Sequence, residues 1–538
     1  VTAAFAYDAL QYPALIFPQM HPSRLAAIGR LHGLASASPI HCRLLEVGCG
    51  DGLQLLSLAL AYPQAQFVGV DMSQTAIARG EAMRQQLGLT NLQLHAADVC
   101  QWECGAAPFD YIVAHGFFSW VPVSVQDTLL ALCQRMLTAS GIAYISYNAL
   151  PGCHLRRMMW DMLRQHTSSI NEPSQKIVQA RELLAWLQVS VTTKTPYADV
   201  VRHEAQDLLD KTESAVFYHD DLAELNLPYS ITDFAARAHA HGLSFLAEAE
   251  YHDSSGASLP DHTAASLAQL ATGDVIRREQ YLDYLKGRRF RQTLLCRQEV
   301  AIVRPAQADA VLQMQAAGHL HEDTAFVDTA IGKAHPGLRR FCASGGAALT
   351  TPNALVASVL TTIGNAFPCA LSVDTLLQQH LATTQSGSNP REEQHEEQHE
   401  NPQAIRGTLC KALLIAFEYG LLTLHVDAPA FANSPSEYPC LNPLSRVQLE
   451  NGQDMLTSLR PSMVRLDSQL GLELVKLLDG KRDRAALLQA LVERMQEFAV
   501  VGADGKESIQ TSEWWQDHLA GQLESGLQLA CKMALLDA

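Results

Sequence analysis

The sequence predicts an α/β domain whose parallel sheet is covered by helices on both faces, with a helical block inserted and mainly helical modules after it. Three observations carry this. Short apolar runs alternate with helical patterns from Arg43 onward. A glycine-rich turn, Gly48-Cys49-Gly50-Asp51-Gly52, joins the first apolar run to the first helical pattern. The alternation stops near residue 150 and returns near residue 232. Short buried strands separated by helices require crossover connections, and hence a sheet with both faces covered.

In chain order, residues 1–35 hold Tyr12-Pro13 and Phe17-Pro18-Gln19-Met20-His21-Pro22 before a short helix from Ser23, which is expected to be its N-cap. This segment reads as an arm or lid on the next domain. Strands are expected at Leu44–Val47, Phe67–Asp71, Leu92–His95, Tyr111–Ala114 and Ile142–Ser146. Helices are expected from about Leu53 to Tyr62, Ser73 to Leu87 and Val125 to Leu137. Residues 150–220 are helical in pattern and read as an insertion. A helix Thr232–His241, closed by Gly242, leads to strands Leu243–Glu248 and Phe290–Cys296, which complete a domain over 36–304. Residues 305–435 form a mainly helical middle domain with a mobile loop at 384–403. Helical patterns are expected there at Ala306–Ala317, Thr351–Phe367, Val373–Leu381 and Ile405–Tyr419, with a strand Leu421–Val426. Residues 436–538 read as helix, turn, helix with a β wing.

At 538 residues the chain exceeds a single hydrophobic core. A net charge of −17 disfavours a protein built to grip nucleic acid, whose phosphates demand a basic surface. Lys481-Arg482 and Lys286-Gly287-Arg288-Arg289 read as solvated faces. The twelve cysteines are scattered, without paired metal-ligand spacing, as in a reducing compartment. No signal-peptide pattern opens the sequence, and no apolar run reaches the ~18 residues of a membrane span. A cytoplasmic protein without membrane insertion is expected, with native residues ahead of Val1. His395-Glu396-Glu397-Gln398-His399 matches a zinc-protease spacing but lies in an acidic, polar run, so no metal site is assigned.

The chemistry gathers at strand carboxyl ends, where open parallel sheets bind ligands. The glycine turn follows strand one. Asp71 ends strand two, 19 residues after Gly52. Asp98 and Val99 follow strand three, and His115-Gly116 follow strand four. Asp71 is placed to accept hydrogen bonds from ribose hydroxyls, with Met72 beside it, and Asp98 to accept from an adenine amine while the Val99 N–H faces the ring. The glycine spacing departs from the dinucleotide pattern. Glu46, two residues before Gly48, would repel a pyrophosphate and tolerate an ammonium. These features point to S-adenosylmethionine, held by Glu46, Gly48, Gly50, Asp71, Met72, Asp98, Val99 and His115.

This set resembles the class I S-adenosylmethionine-dependent methyltransferases. The resemblance implies a Rossmann-like seven-stranded sheet whose last strand, Phe290–Cys296, is antiparallel. A narrower resemblance rests on Phe17–Pro22, Ala114-His115-Gly116-Phe117-Phe118-Ser119-Trp120-Val121-Pro122, Ser146-Tyr147-Asn148-Ala149-Leu150-Pro151-Gly152 and Asp233–Ala238. These are similar to bacterial methyltransferases carrying a methyltransferase regulatory domain, a group that includes lysine methyltransferases of outer-membrane proteins. Leu477–Arg484 resembles their C-terminal winged-helix-like domain. The resemblance implies a protein substrate, with an outer-membrane protein as one instance, and a homodimer.

A lysine nucleophile must lose its proton, and an apolar channel favours that loss. The aromatic residues after strands four and five are expected to line it. Trp120, Tyr147 and Asn148 are assigned to catalysis, and Phe117 and Phe118 to substrate binding, with Tyr12, Phe17 and His21 covering from the arm. His115 is read as a backbone-orienting residue close to the cofactor more than as a general base. Two rivals stay open: a small-molecule methyltransferase, and a protein that only senses the cofactor.

Overall fold

A computed structural model describes residues 10–103, 105–256, 259–326, 337–387, 402–429, 431–499 and 512–537. The His-Glu-Glu-Gln-His run and most of the 384–403 stretch lie outside them.

Seven strands form one sheet: β1 (Arg43–Val47), β2 (Gln66–Asp71), β3 (Leu92–Ala96), β4 (Phe109–Ala114), β5 (Leu137–Asn148), β6 (Leu243–Glu248) and β7 (Phe290–Arg297). Their order is β3-β2-β1-β4-β5-β7-β6. β1 to β5 run parallel, and β7 is antiparallel to both β5 and β6. β7 therefore enters the sheet at the edge where β1 to β5 end. Asn148 pairs with Phe290, and Tyr147 with Arg291.

Period-two alternation sorts the strands between two cores. Leu44, Tyr111, Val113, Ile142 and Tyr144 face helices Pro22–Leu31 and Leu53–Ala61, and that core continues into the middle lobe. Leu45, Val47, Ile112, Ala114, Ile145 and Tyr147 face helices Val123–Met136 and Ile231–Ala240. Residues 150–220 carry four helices, Cys153–His166, Pro173–Ser190, Pro196–Leu209 and Ser214–Asp221, around a small core of their own. A single helical turn, Tyr251–Ser254, and two longer helices, Asp261–Ala271 and Val275–Lys286, separate β6 from β7 among the described residues.

Several local expectations need correction. The first helix starts one residue early, and its N-cap is His21, whose Nδ1 accepts from Ser23 N at 3.2 Å. The Ser23 hydroxyl instead accepts from Val426 N and Asp427 N, tying the helix to the middle lobe. The helix expected over 306–317 is a short 3-10 helix, Ala308–Gln313, followed by strand β8 (Gln315–Ala317). β8 lies between Leu371–Ser372 and Thr423–His425, partners far away in sequence that local periodicity does not register. A second small sheet, Leu320–Glu322, Arg339–Ala343 and Ala348–Thr351, was likewise not expected.

The C-terminal lobe has helices Gln469–Leu477, Arg484–Ala499 and Ser512–Lys532, with paired strands Met455–Thr457 and Met463–Arg465 as its wing. No helix among the described residues is long and apolar enough to cross a membrane.

Candidate active site

The glycine turn leaves β1 with Gly48 and Gly50 both in the left-handed region, at φ 75° and 57°. A Cβ at Gly48 would meet the Phe117 ring at 2.7 Å, whereas one at Gly50 would point into open space. The first glycine is thus a packing requirement, and the second leaves backbone accessible to a ligand. Asp71, at the end of β2, accepts from Gly50 N at 2.9 Å and from Ser73 N at 2.8 Å. Its carboxylate fixes the turn and starts the helix Gln74–Gln86, capped by Ser73. Ala97 N donates to Asp71 O, which holds the Asp98 loop beside it. Asp98 Oδ1 accepts from Cys100 N, and Val99 packs on the sheet. Met72 is 55% exposed at the rim. The structure therefore gathers Glu46, Gly48, Gly50, Asp71, Asp98, Val99 and His115 along one sheet edge.

Glu46 is the informative member. It is buried beneath the turn, and its Oε2 has no hydrogen-bond partner. Burial, then Asp51 and Asp71, push its pKa up to about 8. Three carboxyl groups around one turn, one with an oxygen left unpartnered, form a site suited to a cationic ligand. That matches the ammonium and sulfonium of S-adenosylmethionine and opposes a pyrophosphate.

Next to the turn stands an aromatic wall. The Phe17 ring lies on His115 with centroids 3.8 Å apart, and Phe290 meets the same imidazole edge-on at 5.8 Å. His115 Nδ1 is 2.8 Å from Tyr144 Oη, and burial pushes the His115 pKa down to about 4. It is neutral at pH 7, which fits an orienting group. The arm crosses the site. Leu10 O lies 2.6 Å from His219 Nε2 on the insertion, and Phe17 N donates to Gln54 Oε1 on the helix after the turn. Tyr12 reaches Asp220 and His219, so it fastens the arm to the insertion.

Three of the residues expected at the substrate channel are packed into the interior. Phe118 is fully buried, edge-on to Tyr229 and Phe234, because the 3-10 turn Phe118–Trp120 directs it into the core. Tyr147 is buried and stacked on Phe234 at 4.1 Å, and Thr293 Oγ1 donates to its hydroxyl. An odd spacing from Tyr144 puts it on the opposite face of β5. His21 is a buried helix cap near Tyr62 and His425, away from the aromatic wall. Trp120 is half-buried beyond the end of β4. Asn148 Nδ2 donates to Asn226 Oδ1 at 2.8 Å, and Asn148 N to Ser119 Oγ.

Phe290, Tyr144 and Asn226 were not anticipated as site residues. Only the antiparallel placement of β7 brings Phe290 to this edge. Asn226 lies in a stretch without periodicity. Among the described residues one cluster of metal-ligand types occurs, His203, Glu204 and Asp207, but Arg156 and Arg289 already neutralise Glu204.

Comparisons with known proteins bear on the fold and the family. A methyltransferase-domain model matches residues 40–194, a predicted methyltransferase regulatory domain 213–297, and the PKMT C-terminal winged helix domain 437–535. Uncharacterized protein RP789 of Rickettsia prowazekii is 36% identical over 57% of this chain and 55% of its own length, so the chain spans about half of that relative. Uncharacterized protein RP028 of the same organism is 35% identical over 44% of this chain and 95% of its own length. PKMT2 from Rickettsia typhi, whose structure is also known in complex with AdoHcy, superposes with a TM-score of 0.81 at 24% identity. That superposition covers 98% of this chain and 99% of PKMT2, and shows that the fold is shared throughout. With RP028 matched along nearly its whole length and three domain models in order along the sequence, the chain belongs to the S-adenosylmethionine-dependent methyltransferases that carry a methyltransferase regulatory domain.

Proposed function

We propose that this protein methylates the Nε of lysine side chains in a polypeptide substrate. The observation that carries the reading is the wall of Phe17, His115 and Phe290 standing beside the glycine turn at the carboxyl edge of the sheet. The PKMT-type winged helix domain supports a protein acceptor, and the AdoHcy complex of PKMT2 supports the donor. S-adenosylmethionine, when bound, supplies an electrophilic methyl group on a sulfonium. Glu46 would take its ammonium, Asp71 its ribose, and Asp98 and Val99 its adenine.

The aromatic wall excludes water from an incoming lysine and lowers its pKa by desolvation. Asn148 Oδ1, which makes no hydrogen bond among the described residues, is the acceptor that aims the amine. Trp120 and Phe117 border the same edge. The arm closes over it, in keeping with a division into arm, methyltransferase domain to about residue 304, middle lobe and C-terminal lobe from about 436. Exposed Trp186, Val189 and Tyr197 on the inserted helices supply an apolar face for a homodimer. The described cysteines are all free, which fits the cytoplasm.

Incubation of the protein with labelled S-adenosylmethionine and cell-envelope protein tests the reading. Label on lysine Nε, mapped by mass spectrometry, is expected, with outer-membrane proteins among the acceptors. Label confined to small molecules would overturn it. Phe17→Ala should lower kcat/KM about tenfold while leaving the thermal midpoint within a few degrees, since it removes one face of the wall.

Glu46 gives a proton-linked prediction. At pH 7 its carboxyl holds its proton, and an arriving ammonium favours the carboxylate. Cofactor binding should therefore release about one proton at pH 7. Calorimetry in buffers of different ionisation heat would show it, and Glu46→Gln should abolish the buffer dependence. In the ligand-free protein the raised pKa means that the folded state binds the extra proton. The Glu46 contribution to stability therefore falls as pH rises from the ordinary carboxylate range through about 8.

A further inference from the structure

A cavity of about 210 Å³ lies where the first helix, the loop after β6, the middle lobe and the C-terminal lobe meet. Arg24 and Arg460, from opposite ends of the chain, both line it. Arg24 has one carboxylate neighbour, Glu250, at 3.4 Å. Arg460 has none within ion-pair distance among the described residues. Its guanidinium rests on the Phe367 ring at 4.4 Å, and His319 stacks on the same ring at 4.6 Å. Burial and the Arg24 charge push the Arg460 pKa down to about 10.

Beside the arginines lie buried His21 and half-buried His425, with ring centroids 6.4 Å apart. His21 Nε2 and His425 Nδ1 have no hydrogen-bond partner, while His425 Nε2 lies 3.0 Å from the Oγ1 of cavity-lining Thr423. Burial, then Arg24, holds His21 neutral with its pKa down to about 3. His425 is pushed well below the usual range by burial and by His21, Arg24 and Arg460. In a chain of net charge −17 this junction concentrates positive charge against a single carboxylate. Half-buried cations that repel one another cost free energy unless an anion joins them.

We propose that this cavity binds a small oxyanion, inorganic phosphate or a phosphomonoester, between Arg24 and Arg460. Guanidinium forks approaching from two lobes suit a phosphoryl group, whose oxygens accept in several directions. Phe367 and Phe417 leave an apolar wall for the organic part of an ester. The bound anion fastens the first helix, just beyond the arm that carries Phe17, to the C-terminal lobe. The assignment is independent of the methyl acceptor.

The test uses the full chain with saturating S-adenosylhomocysteine, so that the glycine turn is filled. Calorimetric titration with sodium phosphate, against sodium chloride of matched ionic strength, should show one saturable site. Arg460→Leu and Arg24→Gln should each weaken it at least about tenfold. Arg465→Leu, which removes an exposed partner of Glu213, should leave it unchanged. Adenosine monophosphate binding more tightly than phosphate identifies an ester as the preferred ligand, and equal or weaker binding identifies phosphate. Absence of saturable binding to the wild type would overturn the proposal, as would binding that survives both Arg460→Leu and Arg24→Gln. If one variant fails to fold, the other decides.

Discussion

Asp71→Ala is expected to weaken S-adenosylmethionine binding about 100-fold, the largest effect of any single change at the cofactor site. The carboxylate has two duties. It accepts from Gly50 N and Ser73 N, and so sets the turn and the following helix. In the proposed complex it also accepts from the ribose. Hydrogen bonds to a charged group contribute roughly 1.5–3 kcal/mol each, and about 2.8 kcal/mol is a factor of 100 in affinity. Asp71→Asn keeps one oxygen for a backbone N–H and should lose about tenfold. Titration calorimetry on both variants, with near-ultraviolet circular dichroism to confirm packing, checks this. Binding by Asp71→Ala within about twofold of wild type would remove Asp71 from the site.

The parts of the site legible in the sequence are those set by local grammar at strand ends. Glu46, the glycine turn, Asp71, Asp98 and His115 each follow a short apolar strand. A parallel sheet brings such ends together whatever the loops do. The substrate side was less legible because its residues are sorted by tertiary packing. Phe117 and Phe118 are neighbours in sequence, yet one lies over Gly48 and the other is core. Tyr144 and Tyr147 share a strand, yet alternation sends only Tyr144 to His115. His21 looked like part of the arm's aromatic face, but Pro22 starts the helix at once and turns His21 into its cap. Phe290 entered the site through an antiparallel strand whose neighbours lie about 145 and 45 residues earlier. In the middle lobe the missed strands are two to five residues long, too short to display alternation, and β8 pairs only with partners more than 50 residues away.

That antiparallel strand depends on one side chain. Arg291 is wholly buried and holds three carboxylates: Glu248 at 2.6 Å, Glu279 at 3.1 Å and Asp283 at 2.8 Å. These come from β6 and from the helix Val275–Lys286, so the cluster joins three elements of the regulatory segment. Arg278 and Arg288 give partial support to Glu279 and Asp283. Removing one partner from a buried ionic network leaves the others desolvated and uncompensated, at about 3–5 kcal/mol. Arg291→Met, which retains much of the volume, should therefore lower the urea midpoint of this domain by the largest margin of any single substitution discussed. The loss should depend on pH. Without Arg291 the three carboxyls have raised pKa values in the folded state, as burial already causes for Asp283 in the intact cluster. A raised carboxyl binds its proton in the folded state after the unfolded state has released it, so its contribution falls as pH rises. The deficit of Arg291→Met should be larger at pH 8 than at pH 5, whereas a deficit independent of pH would mean that packing, not charge, is what Arg291 provides. Activity supplies a second reading of the same change. Phe290 precedes Arg291 and stands opposite Asn148, so loosening β7 moves one face of the aromatic wall. Methyl transfer should thus fall in Arg291→Met at temperatures where the domain is still folded, with cofactor affinity, set at β1 and β2, close to wild type.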